Sequence, residues 1–296
     1  MIQVRGIRGA RSRLIVAVAA PAALIASYFF VAPAAHSAPA AQSAPAAQSA
    51  PPAGTAFDVP CTDPRGCPDL VINDRKLNNT VLKTETFPPE DCSVQEGQVG
   101  GTGPRRLLEF PYSTPNLGPG ALIIGDPFDP ANSNLFEWGE CHGHFHFKKY
   151  AAYRLWKPAD YDKFQLLKAR NPNALSADII ARNRLNPVLG TKRGFCVIDY
   201  ARAPARYFQG ERDEREFLSC GGIVEGVTYP GNQGLGVGWV DTYVRRLPGQ
   251  WIDVTGVPDG DYILDVETNP DHSFQEARYD NNSASKPVKI RAGNAP

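Results

Sequence analysis

From about residue 57 onward, apolar positions fall in short runs that alternate with polar ones, and Pro, Gly and Asn gather between the runs. That is the spacing of strands and turns. Residues 105–110 and 121–124 read as strands joined by a Pro/Gly/Asn-rich connection. Residues 136–146 read as a strand that continues through Tyr150, Tyr153 and Leu155. Residues 251–254 and 262–267 flank Pro258-Asp259-Gly260 and read as a hairpin. In its second strand Tyr262, Leu264 and Val266 face inward, while Asp265 and Glu267 face water. Residues 288–290 make a last short strand. Helical spacing is confined to the middle of the chain. Residues 160–170 put Phe164 and Leu167 on one side, and Ser176 caps a short helix carrying Ile179 and Ile180 before Pro187. The pattern predicts a mainly β fold, an antiparallel β-sandwich with long irregular loops and a small helical insertion.

The N-terminus is built differently. Arg5, Arg8, Arg11 and Arg13 form a basic segment without an acid, residues 14–31 are apolar, and small residues follow from Ala32. This is the anatomy of a secretory signal peptide over residues 1–37. An Ala/Pro/Ser/Gln repeat then gives a flexible linker over residues 38–56. Residues 57–296 remain as the folded domain. The full chain balances 31 basic against 31 acidic residues, so loss of those four arginines leaves a mildly acidic protein. No basic patch points to nucleic acid, and no stable membrane insertion is expected once the leader is removed. The expected location is secreted, extracellular or at the cell surface.

Export gives meaning to the six cysteines, at 61, 67, 92, 141, 196 and 220. An even count reads as three disulfides, with 15 possible pairings of which sequence distance favours only Cys61–Cys67. The sharpest chemical signal lies beside Cys141. Three of only five histidines, His142, His144 and His146, stand at alternate positions. On one strand they would leave the same face, with Phe145 and Phe147 packing behind. Three imidazoles with open positions suit a metal that does chemistry. From this motif alone zinc and copper stand level.

Further residues carry a resemblance. Trp138 with the run Cys141-His142-Gly143-His144-Phe145-His146 resembles the copper-binding segment of the lysyl oxidase family. Lys192, four residues before Cys196, resembles the family's lysine segment, and Asp241-Thr242-Tyr243 the segment bearing its cofactor tyrosine. Gln250-Trp251-Ile252-Asp253-Val254-Thr255 and Pro258-Asp259-Gly260-Asp261-Tyr262 are similar to the family's stretch beyond that tyrosine. Pro68-Asp69-Leu70-Val71 resembles the family's opening, and Glu276 with Asn281-Asn282 its close. The segments keep the family's order from 68 to 290.

The resemblance implies a copper(II) amine oxidase with a cofactor made from its own side chains, lysine tyrosylquinone, formed from Lys192 and Tyr243. It implies oxidation of primary amines or peptidyl lysine by molecular oxygen to aldehydes, with release of hydrogen peroxide and ammonia. Asp241, on the same strand side as Tyr243, is the candidate base. The family pattern also implies the disulfides Cys92–Cys141 and Cys196–Cys220. It suggests calcium held by Asp69, the Leu70 carbonyl, Glu276, Asn281 and Asn282. Here Arg278 stands where the family carries an acid, and a guanidinium there could pair with Asp69 and Glu276 in place of the cation. Gly139 and Tyr153 stand where animal members carry histidines. Two other readings stay open, a secreted metal-binding β-sandwich without enzymatic activity and a zinc hydrolase built on the three histidines.

Overall fold

The computed structural model describes residues 66–172, 174–192 and 194–291. The leader, the linker and Cys61 lie outside the described residues. In chain order the strands are β1 (Val81–Phe87), β2 (Gly103–Glu109), β3 (Tyr112–Pro115), β4 (Leu122–Gly125), β5 (Phe136–Gly139), β6 (His144–Lys148), β7 (Ala151–Trp156) and β8 (Val188–Leu189). They continue with β9 (Gly194–Phe195), β10 (Ala201–Arg202), β11 (Ser219–Val224), β12 (Val227–Leu235), β13 (Trp239–Tyr243), β14 (Trp251–Asp253), β15 (Gly260–Thr268) and β16 (Ser283–Ile290). The helices are α1 (Cys92–Gln95), α2 (Pro158–Arg170) and α3 (Ser176–Arg182). The fold is mainly β, as the alternation predicts.

The strands form four antiparallel sheets, in the orders β1-β2-β14, β10-β13-β3, β4-β12-β11-β6-β5 with β9 also on β6, and β16-β15-β7-β8. One core joins them. Leu108, Tyr112, Phe147, Tyr153, Phe195, Tyr243, Ile252 and Leu264 all pack in the same buried cluster. Strand β2 is buried on both faces, with Leu108 in this core and Leu107 in a smaller cluster with Phe87, Val99 and Trp251.

Four local expectations are corrected. The strand through the histidines does not run on to Leu155. Lys149 takes φ +62°, breaking the chain between β6 and β7, which enter different sheets. Nor do residues 251–254 and 262–267 form a hairpin. Strand β14 pairs with β2, while β15 pairs with β7 and β16. The Pro-Asp-Gly turn connects two sheets.

The third correction concerns the face of β15 expected to meet water. Asp265 and Glu267 are buried there. Arg154 Nη1 lies 3.2 Å from Asp265 Oδ2 and 2.6 Å from Glu267 Oε2. Lys168 Nζ on α2 lies 2.6 Å from Glu267 Oε1. Ser176 does not cap α3. Leu175 holds the cap position, and the Ser176 hydroxyl donates to Glu267 Oε1. The helical insertion brings cations and a hydroxyl onto this face, so the acids are paired rather than hydrated. Phe164 on α2 stacks on Trp156 at 4.9 Å and seals the layer.

Candidate metal centre

The three histidines do converge, although not along one strand. Strands β5 and β6 form a hairpin with Gly139 paired to His144. Residues 140–143 form the turn, with Gly143 at φ +64°. His142 therefore lies in the turn and folds back, which brings His142 Nδ1 within 3.2 Å of His146 Nε2. The donor atoms of His142, His144 and His146 all lie within 4.8 Å of one another. His144 Nδ1 is taken up by the His142 carbonyl at 3.0 Å, leaving its Nε2 for a ligand.

Glycines make room for this arrangement. Gly194 on β9 and Gly139 on β5 stand on either side of His146, and a Cβ at either would meet its ring, at 2.2 Å from Nδ1 and 2.7 Å from Cε1 respectively. Burial, followed by the charges of its neighbours, pushes the His146 pKa down to about 3, and burial lowers that of His144. Both rings are thus neutral, the form that binds metals. Two nitrogens 3.2 Å apart suit adjacent ligands of one ion at metal–nitrogen distances of about 2.0–2.1 Å. The residues fit a borderline metal such as copper or zinc.

Lys192 and Tyr243 come from distant parts of the chain and meet. The Lys192 Nζ lies over the Tyr243 ring at 5.4 Å from its centroid, and over Phe195 at 5.1 Å. Its ammonium donates to the Pro248 carbonyl at 3.3 Å. Lost hydration behind these rings pushes its pKa down to about 8, against the pull of Asp241 and Glu96. Tyr243 is buried, and its hydroxyl donates to the Cys196 carbonyl at 2.7 Å. Asp241 lies on the same buried side of β13, with Oδ2 lacking a hydrogen-bond partner. Burial raises its carboxyl well above the usual range. Charge on His146 and His144 couples to Lys192, so the imidazoles and the Lys192–Tyr243 pair share one electrostatic region.

Cys92–Cys141 and Cys196–Cys220 are both formed. The first ties α1 to the histidine turn, and the second holds the Cys196 carbonyl that receives the phenol. At the proposed calcium residues, Asn281 Nδ2 donates to Asp69 Oδ1, Asn282 Nδ2 to Glu276 Oε1, and the Leu70 amide to Glu276 Oε2. The carbonyl oxygens of Asn281 and Asn282 are buried without partners, and burial pushes the Glu276 pKa up to about 8. The alternative pairing of Arg278 is corrected. Its guanidinium forks onto Asp280, with both bonds at 2.9 Å, because an acid two residues away is nearer than the buried cluster.

Sequence reasoning missed Phe195, which walls Lys192 and meets Tyr243 edge-on at 5.2 Å. It also missed Glu96, which follows α1 and receives the Cys141 amide of the histidine turn, and Gln98, whose Nε2 donates to Glu96. The Cys92–Cys141 pairing carried that signal, since Glu96 stands four residues beyond Cys92.

Comparison with known proteins gives one family name. The family model described as lysyl oxidase matches residues 176–294. Lysyl oxidase homolog 2 from Homo sapiens is 26% identical over 234 residues, covering 76% of this chain and 24% of that protein. The Gallus gallus protein is 27% identical over 234 residues, with the same coverage. Lysyl oxidase homolog 2A from Danio rerio is 27% identical over 236 residues, covering 77% of this chain and 26% of its own length. The chain thus spans about a quarter of the length of these relatives. The chain is thus similar to lysyl oxidases, through the family model over its C-terminal part and through these relatives over three quarters of its length.

Proposed function

We propose that the protein is a secreted amine oxidase that depends on copper and on lysine tyrosylquinone, and that it converts primary amines or peptidyl lysine to aldehydes. Residues 1–37 are its signal peptide, 38–56 its linker and 57–296 its catalytic domain. The observation that carries the reading is the approach of Lys192 to Tyr243 from 51 residues away in sequence. An amine adds to an oxidised ring from above its face, and Lys192 Nζ stands on that side. A pKa near 8 leaves a working fraction of the neutral, nucleophilic amine at neutral pH.

His142, His144 and His146 would hold the copper, which supplies the redox chemistry for making the cofactor. The Cys196 carbonyl orients the phenol, while Phe195 and Tyr112 pack against its ring. Asp241, buried and beside that ring, is the group that would accept the substrate's α-proton. Asp69, the Leu70 carbonyl, Glu276, Asn281 and Asn282 would hold calcium, a reading favoured by the two unpartnered amide oxygens. Among the described residues no helix is long and apolar enough to cross a membrane.

Phenylhydrazine tests the proposal on protein produced with copper and zinc both present. The expected result is a coloured adduct on the peptide containing Tyr243, lost in Lys192→Ala, together with amine-dependent peroxide release. A colourless, unreactive copper protein would support a metal-binding module instead, and exclusive uptake of zinc a hydrolase.

A further inference from the structure

Lysine carries its ammonium on a flexible four-carbon stem, so the approach of Lys192 to Tyr243 depends on what holds the two ends of that stem. At the far end the ammonium donates to the Pro248 carbonyl at 3.3 Å. At the near end the segment between β8 and β9 makes two anchoring bonds. The Gly190 amide donates to the Tyr153 carbonyl on β7 at 2.9 Å, and the Thr191 hydroxyl donates to the Gln98 carbonyl at 2.7 Å. That same carbonyl receives the Trp251 indole N–H at 2.8 Å, and Trp251 opens β14 just after Pro248. One backbone oxygen therefore registers the chain leading into Lys192 against the chain that supplies its acceptor.

Gln98 is itself well fixed. Its amide and that of Val99 both donate to the Ser93 carbonyl of α1, at 2.7 and 3.1 Å. Helix α1 begins at Cys92, which is bridged to Cys141 beside His142. The stem has little room to move sideways, because Gly249 takes φ +72° and a Cβ there would meet both the Gln98 side chain and Lys192 Cγ. Thr191 is exposed, so its substitution opens no cavity. A carbonyl oxygen has two lone pairs, and without the hydroxyl the Gln98 oxygen still has Trp251 as a donor. What the hydroxyl adds is aim rather than stability.

We propose that Thr191 is a positioning residue for cofactor assembly, its bond to the Gln98 carbonyl holding the Lys192 backbone so that Nζ stays over the Tyr243 ring. The inference rests on the amine oxidase reading and adds to it the residue that directs the lysine. In the step it serves, a bond forms between Lys192 Nζ and a carbon of the oxidised Tyr243 ring. The amine and that carbon each give up one hydrogen, and the two hydrogens with their two electrons pass to molecular oxygen as hydrogen peroxide.

Two measurements on the full chain compare the wild type with Thr191→Val and Thr191→Ser. In copper-loaded protein under air, the growth of phenylhydrazine-reactive absorbance gives the rate of assembly. The expected result is assembly at least tenfold slower in Thr191→Val and within about threefold of the wild type in Thr191→Ser, with copper affinity and the copper-free melting temperature unchanged in both. In copper-free protein, acetic anhydride labelling of Lys192 across pH 6 to 11, read by peptide mass spectrometry, titrates the amine. The wild type should titrate near pH 8, where lost hydration outweighs the pull of Asp241 and Glu96. In Thr191→Val the proton affinity should rise at least tenfold toward that of an ordinary lysine, and Thr191→Ser should follow the wild type.

A Thr191→Val protein that assembles its cofactor within threefold of the wild type, or whose Lys192 titrates with it, overturns the proposal. So does a serine variant no better than the valine, or a valine variant that loses copper or melts earlier, since either would mark a merely structural role. If the wild type itself forms no phenylhydrazine-reactive ring, the oxidase reading fails on its own. The labelling needs neither copper nor oxygen and then decides alone whether Thr191 seats Lys192.

Discussion

Replacing Gly194 with alanine should cost the metal without touching a ligand atom. Gly194 pairs across from Lys148, two residues from His146 on the same face of β6. Its backbone is not in the left-handed region, so alanine brings no conformational penalty, only a methyl group. That methyl would stand 2.2 Å from His146 Nδ1, 2.3 Å from Cγ and 2.5 Å from Cβ. Because Cβ is among the atoms struck, turning the ring cannot relieve the clash, and the strand itself must shift by about 1 Å to restore ordinary contact. Metal sites tolerate about 0.2 Å in ligand position. Changes around a ligand that leave it present cost about 10–100-fold in affinity, and a displaced ligand should reach the upper end, about 2.7 kcal/mol. Overpacking should also lower stability by about 1–3 kcal/mol. Competition with a chelator measures copper affinity, and thermal melting of the copper-free protein separates local from global effects. A folded Gly194→Ala protein that holds copper within threefold of the wild type would refute the packing argument.

Other expectations rest on the same geometry. Cofactor formation should rise with pH around the Lys192 pKa of about 8, since the neutral amine is the reacting form; phenylhydrazine-reactive absorbance after copper addition at pH 6 to 9 checks this, and a flat profile refutes it. The raised Glu276 pKa of about 8 means the native state holds a proton that the unfolded chain loses above its ordinary range near 4.5. Without a cation, stability should therefore fall as pH rises from about 4.5 to 8, by up to about 5 kcal/mol. Glu276→Gln should flatten that slope in denaturant titrations, and calcium should oppose it in the wild type. Arg154→Met should leave Asp265 without its cation and Glu267 with Lys168 alone, destabilising the fold by about 3–5 kcal/mol. Chemical unfolding would show this, and a loss under 1 kcal/mol would mean that α2 and α3 do not enclose the network.

What the sequence made legible was the period-two alternation and the chemistry concentrated at three histidines, one lysine and one tyrosine. Strand identity survived because Tyr262, Leu264 and Val266 do bury one face of β15. The other face was misread because alternation records only that a residue is polar. It cannot tell water from Arg154 and Lys168 supplied by distant elements. The histidine repeat was read as a strand for a related reason. Alternate positions fit a strand, but Gly143 with φ +64° permits a turn that brings the same rings together more closely. Partnership between sheets was out of reach, since a Pro-Asp-Gly turn looks the same whether it closes a hairpin or crosses between layers. The Lys192–Tyr243 encounter was not visible in spacing at all and came through family resemblance.

The bridge between Cys92 and Cys141 has a consequence for when the protein matures. It closes a stretch of 49 residues that would otherwise have to be gathered by folding alone, a constraint worth about 4 kcal/mol. One end lies in the helix leading to Glu96, the other next to His142. While the two thiols stay reduced, the imidazole turn is held by its own hairpin and by β11, whose Ile223 amide donates to the Gly143 carbonyl, but has no covalent tie to α1. If the protein is the amine oxidase proposed above, closing this bridge would couple assembly of its metal centre to oxidising surroundings.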